Sequence, residues 1–206
     1  MKNGSTVFSS NRWNVYSLVL YGVLTAVLIV LGMINIPQPA GLSITFNMIP
    51  VAVAVLATGV EGGAVIGGAF GLISFLQCFG IAGYSPMGEV LVNISPFLTF
   101  VQRFVTRLMM GVLTALIYRA VRGRFKAGVS YSVAGFCAAF LNTLLFMVTL
   151  VLFFQHTEYM AGKMAGRGFL AYIIAATGIN AVVEMLVSTA LTGTIGAALK
   201  KAGFIA

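Results

Sequence analysis

Two arginines stand where an apolar sequence has least use for them. Arg103 and Arg107 lie four apart in the run that begins at Ser95-Pro96. In a helix, that spacing puts both on one face. With a helix start near Ser95 to Leu98, Arg107 sits roughly 13 Å inside the span. An arginine near the bilayer centre costs about 2.5–3.5 kcal/mol on insertion scales. Such a residue is expected to face the bundle and to meet a partner. Its planar guanidinium suits a carboxylate. Two partners are open: a bound acid, or Glu184, the acid deep in a predicted span. Arg103, nearer the surface, has the further option of reaching the interface.

Glu184 belongs to a stripe formed by Thr177, Asn180, Glu184, Ser188 and Thr192, spaced three or four apart. Lipid penalises such a stripe, so it is expected to face the interior. Glu184 then either pairs with an arginine or accepts hydrogen bonds from a solute. Asn180, nearer the mouth, is the better ligand candidate. Asn142 in the preceding span can complete a polar pocket, and Gln77 can join if it faces inward. Asn93 and Ser95 precede the arginine-bearing helix. Ser95 reads as its cap, and Asn93 as a cap or a solute contact. Tyr84 reads as an interfacial anchor or a lid.

These groups suit binding of a small polar solute, not covalent chemistry. His156 stands alone, and one histidine does not make a metal site. There is no phosphate-binding loop ending in Lys-Ser or Lys-Thr. Neither a Gly-x-Ser-x-Gly elbow nor a His-Glu-x-x-His motif occurs. No catalytic residue, metal or cofactor is expected.

The elements that must position these groups are membrane helices. The 206 residues are 60% hydrophobic and 8% charged, against about 25% charged in a soluble domain. A soluble fold of this size leaves too much surface exposed to hide such a composition. Six spans of roughly 20 residues use most of the chain, as a single domain over residues 1–206 after a polar segment, Met1–Asn14. The predicted spans are Val15–Ile34, a short Phe46–Thr58, Gly62–Ile81, Ser95–Arg119, Val129–Phe154 and Phe169–Leu199, the last with a break near Gly193. Ala82–Ile94 and Gln155–Gly168 read as loops. Cys78 and Cys137, inside apolar runs, read as buried hydrophobes.

The net charge of +8 is explained by topology, with no nucleic acid implied. Lys2, Arg12, Arg119, Arg122, Arg124, Lys126, Lys200 and Lys201 fall on one side, which places both termini in the cytoplasm. Trp13 reads as an anchor there. The longer loops then face outward, where a binding mouth is expected.

Small residues recur at intervals of four. Gly59, Gly63, Gly67 and Gly71 line one face of the third span, and Gly22-x-x-x-Ala26 marks the first. Such stripes let helices approach closely. They serve either internal packing or docking of a partner subunit.

Over nearly its full length the chain resembles the substrate-binding S components of energy-coupling factor (ECF) vitamin transporters. The resemblance rests on Leu42-Ser43-Ile44-Thr45-Phe46-Asn47-Met48-Ile49-Pro50-Val51, on Gly67-Gly68-Ala69-Phe70-Gly71-Leu72-Ile73-Ser74-Phe75, on Asn93-Ile94-Ser95-Pro96 and on Arg107-Leu108-Met109-Met110-Gly111, in that order. The resemblance implies a multi-pass protein of the cell membrane with a vitamin pocket near the outer face. It also implies a transmembrane coupling subunit and two cytoplasmic ATPase subunits as partners, with ATP hydrolysis on those partners. The family's coupling contact is typically Ala-x-x-x-Ala on the first helix, and Gly22-x-x-x-Ala26 occupies that position. The region of the third and fourth spans is most similar to the pantothenate type. Arg103 or Arg107 would hold the carboxylate, with Asn93, Asn142, Asn180 and Glu184 on the remaining polar groups. Riboflavin, folate, biotin, pyridoxine and hydroxymethylpyrimidine remain open, as does a self-contained oligomeric transporter or channel.

Overall fold

The structure, a computed structural model, describes residues 15–34, 36–37, 43–164, 166 and 168–205. The N-terminal segment with Lys2, Arg12 and Trp13, the turn at 38–42, Arg167 and the side chain of Thr177 lie outside the described residues.

The helices are α1 (Val15–Met33), α2 (Met48–Thr58), α3 (Val60–Leu76), α4 (Pro86–Ile94), α5 (Pro96–Phe100), α6 (Thr106–Val121), α7 (Ala127–Phe154), α8 (Glu158–Met164) and α9 (Phe169–Lys201). A π turn, Val101–Val105, joins α5 to α6 into one helical stretch, Pro96–Val121. In the first loop, Ile36–Pro37 pairs antiparallel with Ser43–Ile44. The fold is an all-α membrane bundle. Among the described residues, five helical stretches are long and apolar enough to cross a bilayer: Val15–Met33, Val60–Phe79, Pro96–Val121, Ala127–Phe154 and Asn180–Lys201.

The second span is short, as expected. At 11 residues, α2 is only ~16 Å long, short of the ~30 Å hydrocarbon core. Every residue from Met48 to Leu56 is buried, as suits a helix apolar on all sides. The chain reaches α2 through the non-helical stretch Thr45–Asn47. Backbone of that kind survives at membrane depth only where protein or a cavity covers it. The turn from α2 to α3 is tight, and Gly59 takes it at φ +69°, a conformation open to glycine.

The glycine stripe of α3 faces α6. A Cβ on Gly63 would stand 2.4 Å from the Gly111 carbonyl oxygen, and one on Gly67 would stand 2.7 Å from that of Arg107. Internal packing is therefore the reading that holds for α3. The seam between α7 and α9 is equally close. Ser188 Oγ donates to the Gly135 carbonyl at 2.9 Å, and a Cβ on Gly193 would meet Ser132 Oγ at 2.5 Å. The expected break near Gly193 is instead a point of close approach in an unbroken helix.

Both segments read as loops contain a helix. α4 starts with Ser85, whose Oγ accepts from the Gly88 N–H at 3.2 Å, with Pro86 in the first turn. α8 starts with Thr157, whose Oγ1 accepts from the Met160 N–H at 3.3 Å. Met87, Leu91 and Met160 from these helices are buried against Met147, Leu150 and Phe154 of α7. This cluster closes one end of the bundle. Ser95 caps α5 as expected, accepting from the Leu98 N–H at 3.4 Å.

Candidate functional site

Below that closed end lies a cavity of about 110 Å³. At ~10–15 Å³ per water on this measure, it has room for several waters and exceeds a structural water site. Its wall gathers residues distant in sequence: Thr45 and Asn47 before α2, Phe70 and Ser74 on α3, the two arginines, Asn142 and Phe146 on α7, and Asn180 and Glu184 on α9.

The arginines owe their position to the glycine stripe. Gly67 and Gly71 of α3 leave no side chain in the way, so the backbone carrying Arg103 and Arg107 comes against α3. Both guanidinium groups then turn into the bundle, and both residues are 6% exposed. Arg103 Nη1 donates to Ser74 Oγ at 3.4 Å and Nη2 to Ser85 Oγ at 3.1 Å. Arg107 Nη1 donates to the Arg103 carbonyl, within the π turn, at 3.1 Å. Aromatic faces supply the rest of the environment. The Arg107 guanidinium lies 4.7 Å from the Phe70 centroid and 5.3 Å from that of Phe146, and Arg103 lies 5.1 Å from Phe146. Such stacking contributes roughly 2 kcal/mol when desolvated.

Glu184 shares their cavity wall without contacting either of them. Its Oε1 accepts the Thr45 backbone N–H at 2.9 Å, and among the described residues no ion pair joins it to either arginine. Of the two partners open for Arg107, Glu184 thus adds its charge to the same wall without contacting the guanidinium. Thr45 lies on non-helical backbone, so its N–H has no helical acceptor, and the carboxylate supplies one. Two cations remain in a low-dielectric wall with unmet acceptor demand. The Nε atoms of both arginines have no hydrogen-bond partner.

Amides supply much of the remaining polar lining. Asn142 and Asn180 are half-buried and reach the cavity. Asn47 is buried, and its Oδ1, like that of Asn142, is without a partner. Gln77 faces inward, where its Nε2 donates to the carbonyls of Gly32 at 3.1 Å and Ala82 at 3.2 Å. Tyr84, half-exposed at the rim, donates to Glu89. That bond holds the Tyr84 phenol above its usual range. In the polar stripe of α9, Asn180 and Glu184 serve the cavity, whereas Ser188 and Thr192 are buried away from it.

The structure brings together Arg103, Arg107, Asn142, Asn180 and Glu184. Asn93 is exposed on α4 and does not line the cavity. Residues that sequence reasoning passed over include Ser74, Ser85, Thr45, Asn47, Phe70 and Phe146. Ser85-Pro86 carried a usable signal, the same serine-proline start that was read at Ser95-Pro96.

The small-residue stripe of the first helix lies elsewhere. A Cβ on Gly22 would meet nothing within 4 Å, and Ala26 is exposed. Val19, Val23 and Val30 flank them, also exposed.

The chain is 28% identical over 166 residues to the pantothenic acid transporter PanT of Lactococcus lactis subsp. cremoris (strain MG1363), covering 77% of this chain and 78% of that protein. The family described as ECF transporter, substrate-specific component, matches residues 16–196. With so much of the bundle inside that match, the cavity included, the chain belongs to the substrate-specific components of ECF transporters, a family of multi-pass membrane transport proteins.

Proposed function

We propose that this chain binds pantothenate in the cavity between α3, α6, α7 and α9, and presents it for import. The observation that carries the reading is the pair of buried arginines without an ion-pair partner among the described residues. A bound carboxylate would supply the missing anion, and a guanidinium receives it on two parallel N–H donors. Arg107, free of serine contacts, takes the carboxylate. Arg103, tethered by Ser74 and Ser85, adds field and a second donor. Asn142 and Asn180 meet the amide and hydroxyl groups of the solute, and Glu184 holds the first loop against α9. Asn93 has no part in this set, because it points to the exterior. The similarity to a pantothenic acid transporter supports the choice among vitamins.

In this reading the chain hydrolyses no nucleotide. A transmembrane coupling subunit and two cytoplasmic ATPase subunits drive transport, with both termini of this single domain in the cytoplasm. The notch at Gly22 and Ala26 is the contact for the coupling subunit. Its exposure on α1 leaves room for another helix to approach.

Native mass spectrometry of the purified protein in an equimolar mixture of B vitamins tests the proposal. Selective retention of pantothenate is expected. Retention of riboflavin, folate, biotin or pyridoxine in its place overturns the assignment. Uptake by this chain reconstituted without ATPase subunits overturns the proposed partners.

A further inference from the structure

Among the described residues, Phe146 is the one whose ring meets both buried arginines. The Arg103 guanidinium carbon lies 5.1 Å from its centroid, and that of Arg107 lies 5.3 Å away. Phe70 meets Arg107 alone, at 4.7 Å. Phe146 follows Asn142 by four residues on α7, so the two share a helix face. Both line the solute cavity. Phe146 also packs against the apolar cluster that closes this end of the bundle.

The contact does what a hydrogen bond cannot. Ser74 and Ser85 hold Arg103, and the Arg103 carbonyl holds Arg107. These neutral acceptors fix single nitrogen atoms and carry no charge to set against the cations. An aromatic face attracts a cation through its quadrupole. It has no net charge and takes no N–H donor away. An acid in place of Phe146 would offset the cations more strongly, but it would also occupy the donors that a solute carboxylate needs. A leucine would fill much of the space and offer the cations nothing. A phenyl ring beside both guanidinium groups keeps two like charges in one desolvated wall and leaves them open to an anion.

We propose that Phe146 is a positioning residue for acid recognition. Its ring holds both guanidinium groups in place against their mutual repulsion, and so sets the preference of the cavity for a carboxylate over a neutral group. The inference rests on the reading that the solute binds through its carboxylate. Two plainer roles for Phe146 are separable from it. Direct contact with the apolar part of the solute would serve pantothenate and its alcohol analogue alike, because they share that part. Packing against the closing cluster would show in stability and not in the choice between the two solutes.

Calorimetry on the full chain with pantothenate and the alcohol analogue reads that choice as a ratio of two Kd values. Phe146→Leu should weaken pantothenate binding about tenfold, a factor within the range of a desolvated cation–π contact. The alcohol analogue should change by less than about twofold on the same scale, since it brings no charge for the guanidinium groups to meet. Phe146→Tyr keeps the π face and should keep most of the preference. Trifluorophenylalanine in place of Phe146 keeps the shape of the ring and drains its face of charge, so it should behave as Phe146→Leu does, with the fold preserved. Phe153→Leu is the control. Phe153 packs on the same cluster without an arginine contact among the described residues, and its loss should leave the ratio unchanged.

Equal losses for both solutes in Phe146→Leu would mark solute contact and overturn the positioning role. An unchanged ratio in the trifluoro variant would overturn it as well, because shape alone would then suffice. A wild-type protein with no preference for the acid would overturn the carboxylate reading, and this inference with it. A wild-type preference that survives in both the leucine and the trifluoro variant overturns this inference alone.

Discussion

Glu184 on α9 accepts the backbone N–H of Thr45 at 2.9 Å, across 139 residues of sequence. The bond joins the stretch before α2 to the last helix, in the wall of the solute cavity. It also satisfies a donor on backbone that no helix serves. A buried N–H left unpaired there would cost about 1–3 kcal/mol.

Glu184→Leu should therefore lower stability by about that amount, whereas Glu184→Gln, which keeps an accepting Oε1, should lose much less. Thermal unfolding of both variants measures the difference. Amide exchange at Thr45 should accelerate in Glu184→Leu alone. Equal stability of the two variants would sink the account.

Arg107→Gln should weaken pantothenate binding by about 2–5 kcal/mol, as removal of one member of a buried charged pair does. Binding of the alcohol analogue, which carries no charge for the guanidinium to meet, should change far less. Calorimetry with the two solutes reads the contrast. Parallel losses would remove Arg107 from the carboxylate role.

Gly111→Ala should destabilise the bundle by about 1–3 kcal/mol through overpacking. The new Cβ would stand 2.0 Å from the Gly63 carbonyl oxygen, a backbone atom that cannot swing aside. Gly22→Ala is the contrast. It meets nothing within 4 Å, and in a helix the exchange gains up to ~1 kcal/mol. Matching unfolding temperatures for both would refute the packing role of the α3 stripe.

Gly22→Leu and Ala26→Leu should leave solute affinity intact and abolish uptake in cells. Neither residue borders the cavity, so the loss would lie in coupling. Calorimetry beside whole-cell uptake separates the two effects. Wild-type uptake in both variants rules out docking at this notch.

The sequence alone determined the class of molecule and the inward direction of its polar groups. Arg107, Asn180 and Glu184 could be turned toward the interior by periodicity, because lipid tolerates them nowhere else, whereas Arg103 kept the option of the interface. The glycine spacing told that a helix approaches α3, though not which one. Tertiary structure decided what each polar group meets. That Glu184 serves Thr45, that Ser85 serves both Gly88 and Arg103, and that Asn93 turns outward are outcomes of packing between distant segments. The same holds for the π turn that carries Arg103 and for the burial of α2 on every side from Met48 to Leu56. Periodicity reports the face one helix hides, since burial follows from local composition. Hydrogen-bond partners follow from which backbone groups the assembled bundle leaves unsatisfied, and no window of sequence contains that information.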